Sequence, residues 1–149
     1  MQETSSSGLS RSDFVHFVRA ARLGVVATAS PSGMPEAALV DIAISESAEL
    51  IFDTPVGARK LTNIDRNDRV AVVIGWNDRI SIQVEGRVRI VSNDERLDYE
   101  RLYEAQLPGS RVSSSSFLVA VITPDWVRRY DATRDPAHCD HADWLPSPA

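Results

Sequence analysis

The period of the apolar positions changes near Leu23, from a short helical opening to a body made mostly of short β-rich runs. Phe14, Phe17, Val18 and Ala21 recur at i, i+3, i+4 and i+7, the spacing of one helix face. Ser10 stands before them as an N-cap with Asp13 three residues on, while Arg11, His16 and Arg19 fall elsewhere on the helix. From Leu23 the apolar residues come in short runs separated by turn residues: LGVVATAS, the turn PSGM, PEAALVDIAI, the turn SES, then AELIFD. That succession predicts three strands in a meander. A short helix over ARKLTNIDR follows, with Leu61 and Ile64 packing inward. RVAVVIGW and RISIQVEGRVRIV then flank Asn77 and Asp78 as a long hairpin, and Gly86 predicts a bulge or sharp bend in its second strand.

Ser92 with Glu95 forms a capping-box signature for a helix through LDYERLYEAQ, which Pro108 and Gly109 stop. A last strand, FLVAVIT, leads through Pro124 and Asp125 into WVRRYD. The organisation expected is a flexible arm over residues 1–9, one domain over 10–130, and an extended acidic tail over 131–149 without periodicity. Six antiparallel strands with short helices between them must bury an inner face without leaving long open edges. A small barrel does so economically, and a sandwich satisfies the same strand count.

Composition narrows the function classes. A chain of 149 residues with 43% hydrophobic and 25% charged positions is that of one ordinary globular domain. The formal charge is -5, and the tail after Tyr130 holds four aspartates (Asp131, Asp135, Asp140, Asp143) against Arg134, a net of -3. The domain itself is therefore close to neutral. With no basic stripe and no aromatics interleaved among Lys and Arg, a nucleic-acid partner is not expected. One cysteine, Cys139, fits a reducing compartment, and the N-terminus has no basic-then-apolar signal. No apolar stretch approaches bilayer length, so a cytoplasmic protein without a membrane partner is expected.

The chemistry concentrates in FDTPVGARKLTNIDRNDRVAVVI, residues 52–74. A helix starting near Ala58 puts Arg59 and Lys60 in its first turn, where the free amides and the positive end of the helix dipole already lie. Two cations there are unfavourable by a few tenths of a kcal/mol each unless an anion is bound between them. Either they form a phosphate site, with the Thr54 hydroxyl as a further donor, or they are solvated surface charges.

The order of three segments, LGVVATASPSGMPEAALVDIAI, LIFDTPVGARKLTNIDRNDRVAVVI and ISIQVEGRVRIVS, resembles the pyridoxamine 5'-phosphate oxidase-like split barrels that bind FMN. The resemblance runs over roughly residues 10–130 and rests on FDTPVGARK, the Asn-Asp-Arg-Val sequence after the helix, and the strand QVEGRV. It implies a mainly β fold, a six-stranded antiparallel split barrel, and a homodimer with FMN across the seam. Arg59 and Lys60 match the family's phosphate-binding pair, and Thr54 a hydroxyl position beside the flavin. Leu39, Val40, Asp41 and Ile42 match the strand running along the isoalloxazine ring. Ser81 falls where a polar side chain reaches the flavin edge, with Gln83 beside it on the same strand face. Trp126 and Arg128 fall where the last strand closes the site from the other subunit.

The departures matter too. The hydroxyl residue that commonly precedes the basic pair is Ala58, and a phosphate-holding strand Arg is Ala38. Both weaken the cradle and leave room for a deazaflavin in place of FMN. The substrate-phosphate cluster of the vitamin-B6 oxidases is also broken. Its strand Lys falls at Ala43, its Arg at Tyr103 and its Ser at Leu107; only its Tyr is kept, at Tyr99.

Other signals are weak. His138, Cys139 and His141 lack a second ligand pair, so no metal is expected. Ser113 to Ser116 lack a nucleophile elbow and read as a loop. Trp76 and Trp144 read as packing or capping aromatics. The function expected is a flavin-dependent oxidoreductase acting on a small-molecule substrate. A non-catalytic flavin, deazaflavin or haem module is the alternative.

Overall fold

Residues 8–146 are described by a computed structural model. α1 (Arg11–Ala21) begins at Ser10, whose hydroxyl accepts from the Asp13 N–H at 3.0 Å. It buries Phe14, Val15 and Val18. Eight antiparallel strands follow: β1 (Leu23–Ala29), β2 (Pro35–Asp41), β3 (Ala43–Ile44), β4 (Leu50–Pro55), β5 (Arg69–Ile74), β6 (Ile80–Ile90), β7 (Phe117–Asp131) and β8 (His138–His141). α2 (Arg59–Arg66) lies between β4 and β5, and α3 (Asn93–Gln106) between β6 and β7. The strands form one sheet in the order β2-β1-β5-β6-β7-β4-β3, with β8 on β7.

The six long strands expected are present, with two short ones in addition. PEAALVDIAI is not continuous. Ile42 interrupts it, its N–H donating to Arg22 O at 2.8 Å, and Ala43–Ile44 pair instead with β4. The three-strand meander is corrected at the same point, because β4 pairs with β3 and β7 and not with β2. The expected long hairpin forms as β5 and β6.

Two chain segments explain the curvature. Along β6 and β7 the register shifts between Glu85 and Gly86, leaving Asp125 as the extra residue beside Pro124. A bulge tolerates a proline that a regular ladder would not. Gly86 is required here because a Cβ would lie 2.4 Å from Thr123 O. Inside the curl, Val26, Val70, Val72, Ile74, Ile82, Val84 and Phe52 form the main core. A second core around Tyr103, Ile51, Val119 and Val121 lies beneath α3.

The tail departs from expectation. Residues 131–149 gave no periodic signal, yet His138–His141 pairs with Arg128–Asp131. β4 covers β7 only from Phe117 to Ile122, so β8 takes up edge that would otherwise be open. Beyond it Trp144 stacks on Phe14 with ring centroids 5.4 Å apart. Within the expected arm, Leu9 is buried and bridges to Ala142; residues 1–7 lie outside the described residues. Trp76, by contrast, is 53% exposed and does not serve as a packing residue.

Candidate functional site

The first turn of α2 faces β1 and β2 across a cleft lined by Val26, Thr28, Glu36, Ala37, Ala38, Arg59 and Lys60, with a cavity volume of about 80 Å³. That is well below the volume of an ordinary small-molecule pocket, room for an anionic head group but not for a three-ring system beside it. Ala58 is the N-cap and makes no side-chain bond to the helix amides. Arg59 Nε lies 2.7 Å from Glu36 Oε1. Asn63 Nδ2 donates to Thr28 Oγ1 at 2.9 Å and to Glu36 Oε1 at 3.0 Å, tying helix to sheet.

Lys60 is half-buried and has no ion-pair partner among the described residues. Burial lowers its pKa, and the Asp53 carboxylate offsets part of that. Asp53 is itself engaged, accepting from Tyr103 Oη at 3.0 Å. Burial, with that carboxylate beside it, pushes the Tyr103 phenol well above its ordinary range. Thr54 on β4 is wholly buried, and its Oγ1 has no hydrogen-bond partner among the described residues.

A second group of residues lies on the sheet's outer face. Cross-strand pairing aligns Leu39, Val25, Val73, Gln83, Arg128 and His141 in a single row across five ladders. Directly opposed residues point to the same face, so the row is apolar at the β2 end and polar at the β7 end. Leu39 is 61% and Val73 41% exposed. Arg128 donates to Gln83 Oε1 at 2.6 Å, and its guanidinium sits 5.5 Å from the Trp126 ring centroid. Trp126 in turn meets His141 edge-on at 5.8 Å. Arg128 Nε is buried without a hydrogen-bond partner among the described residues. Ser81 lies on the same face, opposite the exposed Tyr130.

The pyridoxamine 5'-phosphate oxidase family model matches residues 11–131. The chain belongs to that family. Its pyridoxine/pyridoxamine 5'-phosphate oxidase relative from Rubrobacter xylanophilus is 35% identical over 72 residues, 48% of this chain and 33% of that one. The Wolbachia pipientis oxidase is 28% identical over 102 residues, 68% of this chain and 46% of that one. The chain thus spans less than half the length of these curated relatives.

Among solved structures, the conserved hypothetical protein Rv2991 of Mycobacterium tuberculosis superposes with a TM-score of 0.74 at 19% identity, covering 100% of this chain and 96% of that one. A pyridoxamine 5'-phosphate oxidase-related, FMN-binding protein of Nostoc punctiforme gives 0.63 at 17% identity, with 86% and 85% covered. A structure named F420 reductase gives 0.61 at 21% identity, with 75% and 93% covered. These likenesses show the fold, the curled antiparallel split barrel of the oxidase family.

Within this family member the residues singled out from the sequence fall into two sets and a remainder. Arg59 and Lys60 share the cleft; Leu39, Ser81, Gln83, Trp126 and Arg128 share the outer face. Asp41 is exposed at the end of β2, and Val40 packs partly against the core. Ile42 does not present itself to a ligand: its side chain is in the core and its N–H is taken by Arg22 O. Glu36, Asn63 and His141 were missed. Glu36 left one trace, a carboxylate on the half-buried face that Ala38 and Val40 share. Among the described residues, no helix is long and apolar enough to cross a membrane, and no group of three or more His, Cys, Asp or Glu is placed to hold a metal ion.

Proposed function

We propose that the chain is a flavin-dependent oxidoreductase subunit that binds FMN or a deazaflavin between two copies of itself. The observation that carries this reading is the separation of the two residue sets. Arg59 and Lys60 sit against Glu36 and Ala38 on β2, whereas Gln83 lies on β6, three strand spacings or about 14 Å away, with Trp126 and Arg128 one strand further, so one chain does not wrap both sets around one ring. A second copy laid on the exposed Leu39–Val73 row would bring its Gln83, Trp126 and Arg128 over the first copy's cleft, which suits a closed two-fold dimer.

The residues fit such a ligand. Among the described residues, Lys60 is half-buried without an ion-pair partner, and Arg128 keeps an unpaired buried donor beside an aromatic face. Lys60 would hold the phosphate, Arg128 and Trp126 would orient the flat ring, and the apolar row covered by the second copy would exclude water. The flavin, when bound, supplies hydride or electron transfer, which needs no nucleophilic side chain. The deazaflavin alternative draws support from Ala38 and Ala58, which thin the phosphate cradle, and from the likeness to an F420 reductase.

The test is the visible spectrum of the purified protein loaded with flavin, before and after NADH or NADPH. Bleaching with steady reoxidation supports an enzyme. A bound flavin that neither donor bleaches supports a carrier, and a Soret band from haem would overturn the reading.

A further inference from the structure

The anion cleft contains an anion of its own. Glu36 is only 15% exposed and is gripped from two sides, by Arg59 at 2.7 Å and by Asn63 at 3.0 Å. Asn63 is 2% exposed and spends its other amide hydrogen on Thr28. Swinging Glu36 out would leave a buried amide short of an acceptor and an arginine without its carboxylate. The carboxylate is therefore a fixed part of the cleft wall.

Its presence changes what the cleft attracts. Arg59 and Lys60 bring two positive charges, while Glu36 and the nearby Asp53 bring two negative ones. Ala38 and Ala58 contribute neither charge nor hydroxyl. A phosphomonoester carries about -1.5 to -2 at neutral pH. A phosphodiester carries a single negative charge. Repulsion from Glu36 scales with ligand charge and so weighs up to about twice as heavily on the monoester.

Resting on the flavin reading above, we infer that Glu36 sets this cleft to receive a singly charged phosphodiester in preference to a phosphomonoester dianion. The ring ligand would then carry a further group esterified to its one phosphate, as a tailed deazaflavin does.

Calorimetric titration of the wild-type chain and Glu36→Gln with riboflavin, FMN and F420 tests this. Gln keeps an oxygen for Asn63 and removes only the charge. The wild type binds F420, whose phosphate is a diester, more tightly than FMN. Glu36→Gln raises FMN affinity about ten-fold and diester affinity about three-fold, half the free-energy change, with riboflavin unchanged. Equal gains for FMN and riboflavin, or a fall in FMN affinity, would overturn the inference.

A second measurement needs no variant. The Asn63 side-chain amide of the wild type is followed by NMR while dimethyl phosphate or hydrogen phosphate is added. Dimethyl phosphate binds at least as tightly; tighter hydrogen phosphate binding, or no response to either, overturns the inference. Failure of riboflavin to bind would sink the flavin reading alone, since the phosphate comparison still decides the charge of the cleft.

Discussion

The guanidinium of Arg128 donates to Gln83 Oε1 at 2.6 Å across the β6–β7 ladder. It is thereby locked above Trp126 with one buried donor still unspent. A ligand ring meeting this pair gains a hydrogen bond and a cation–π neighbour, and neither depends on a phosphate. Arg128→Ala should weaken riboflavin and FMN alike, by about ten-fold or more. Fluorescence quenching titrations of the two ligands check it; a loss confined to FMN would move the phosphate to Arg128.

Lys60→Ala should show the opposite pattern. Removing a charge-assisted contact worth about 1.5–3 kcal/mol lowers FMN affinity ten-fold or more, and riboflavin is nearly unaffected. The same titrations report it, and equal losses for both ligands would place the phosphate away from the cleft.

Asp140 ties β8 to the sheet. Burial alone would raise its pKa, but hydrogen bonds from Arg129 and His138 outweigh that and hold it below its ordinary 3.8. A carboxylate depressed by folding contributes stability that is present above the unfolded pKa and lost as pH falls through the folded one. Amide protection of His138–His141 should therefore collapse on acidification below about pH 4, as those bonds to Asp140 are lost. Asp140→Asn should weaken protection at neutral pH and flatten its acid dependence. Hydrogen exchange across that range checks it, and an unchanged acid profile in the variant would assign the effect to other carboxylates.

Most of the fold was legible because it rests on local pattern. The alternation of Val70, Val72 and Ile74 on β5 and of Ile82 and Val84 on β6 marks one buried face, and Gly86 marks the bend. β8 was not legible because His-Cys-Asp-His carries no periodic signal. It exists because β7 outruns β4 and because Arg129 waits for Asp140. The basic pair Arg59 and Lys60 was visible as two cations at the wrong end of a helix. The Glu36 counter-charge was not, since pairing it with Arg59 takes the packing of α2 against the β1–β2 hairpin.

The vitamin-B6 oxidase reaction is predicted to be absent. Ala43 is wholly buried and Tyr103 is spent on Asp53. Tyr99 donates to Glu49 and accepts from Arg89, so it is not free to greet a substrate phosphate. Flavin-loaded protein with pyridoxamine 5'-phosphate and oxygen should form no pyridoxal 5'-phosphate above background; saturable turnover would contradict this.

The claim on which the rest depends is that the flavin lies between two copies of the chain. Sedimentation velocity of the flavin-loaded protein, followed at once by protein absorbance and by the flavin's visible absorbance, tests it most directly. The flavin should travel with a species of twice the chain mass, at one flavin per chain, and Val73→Glu on the outer row should release both the partner and the flavin. Flavin that sediments with a single chain, or that stays bound when the variant is monomeric, would contradict the account.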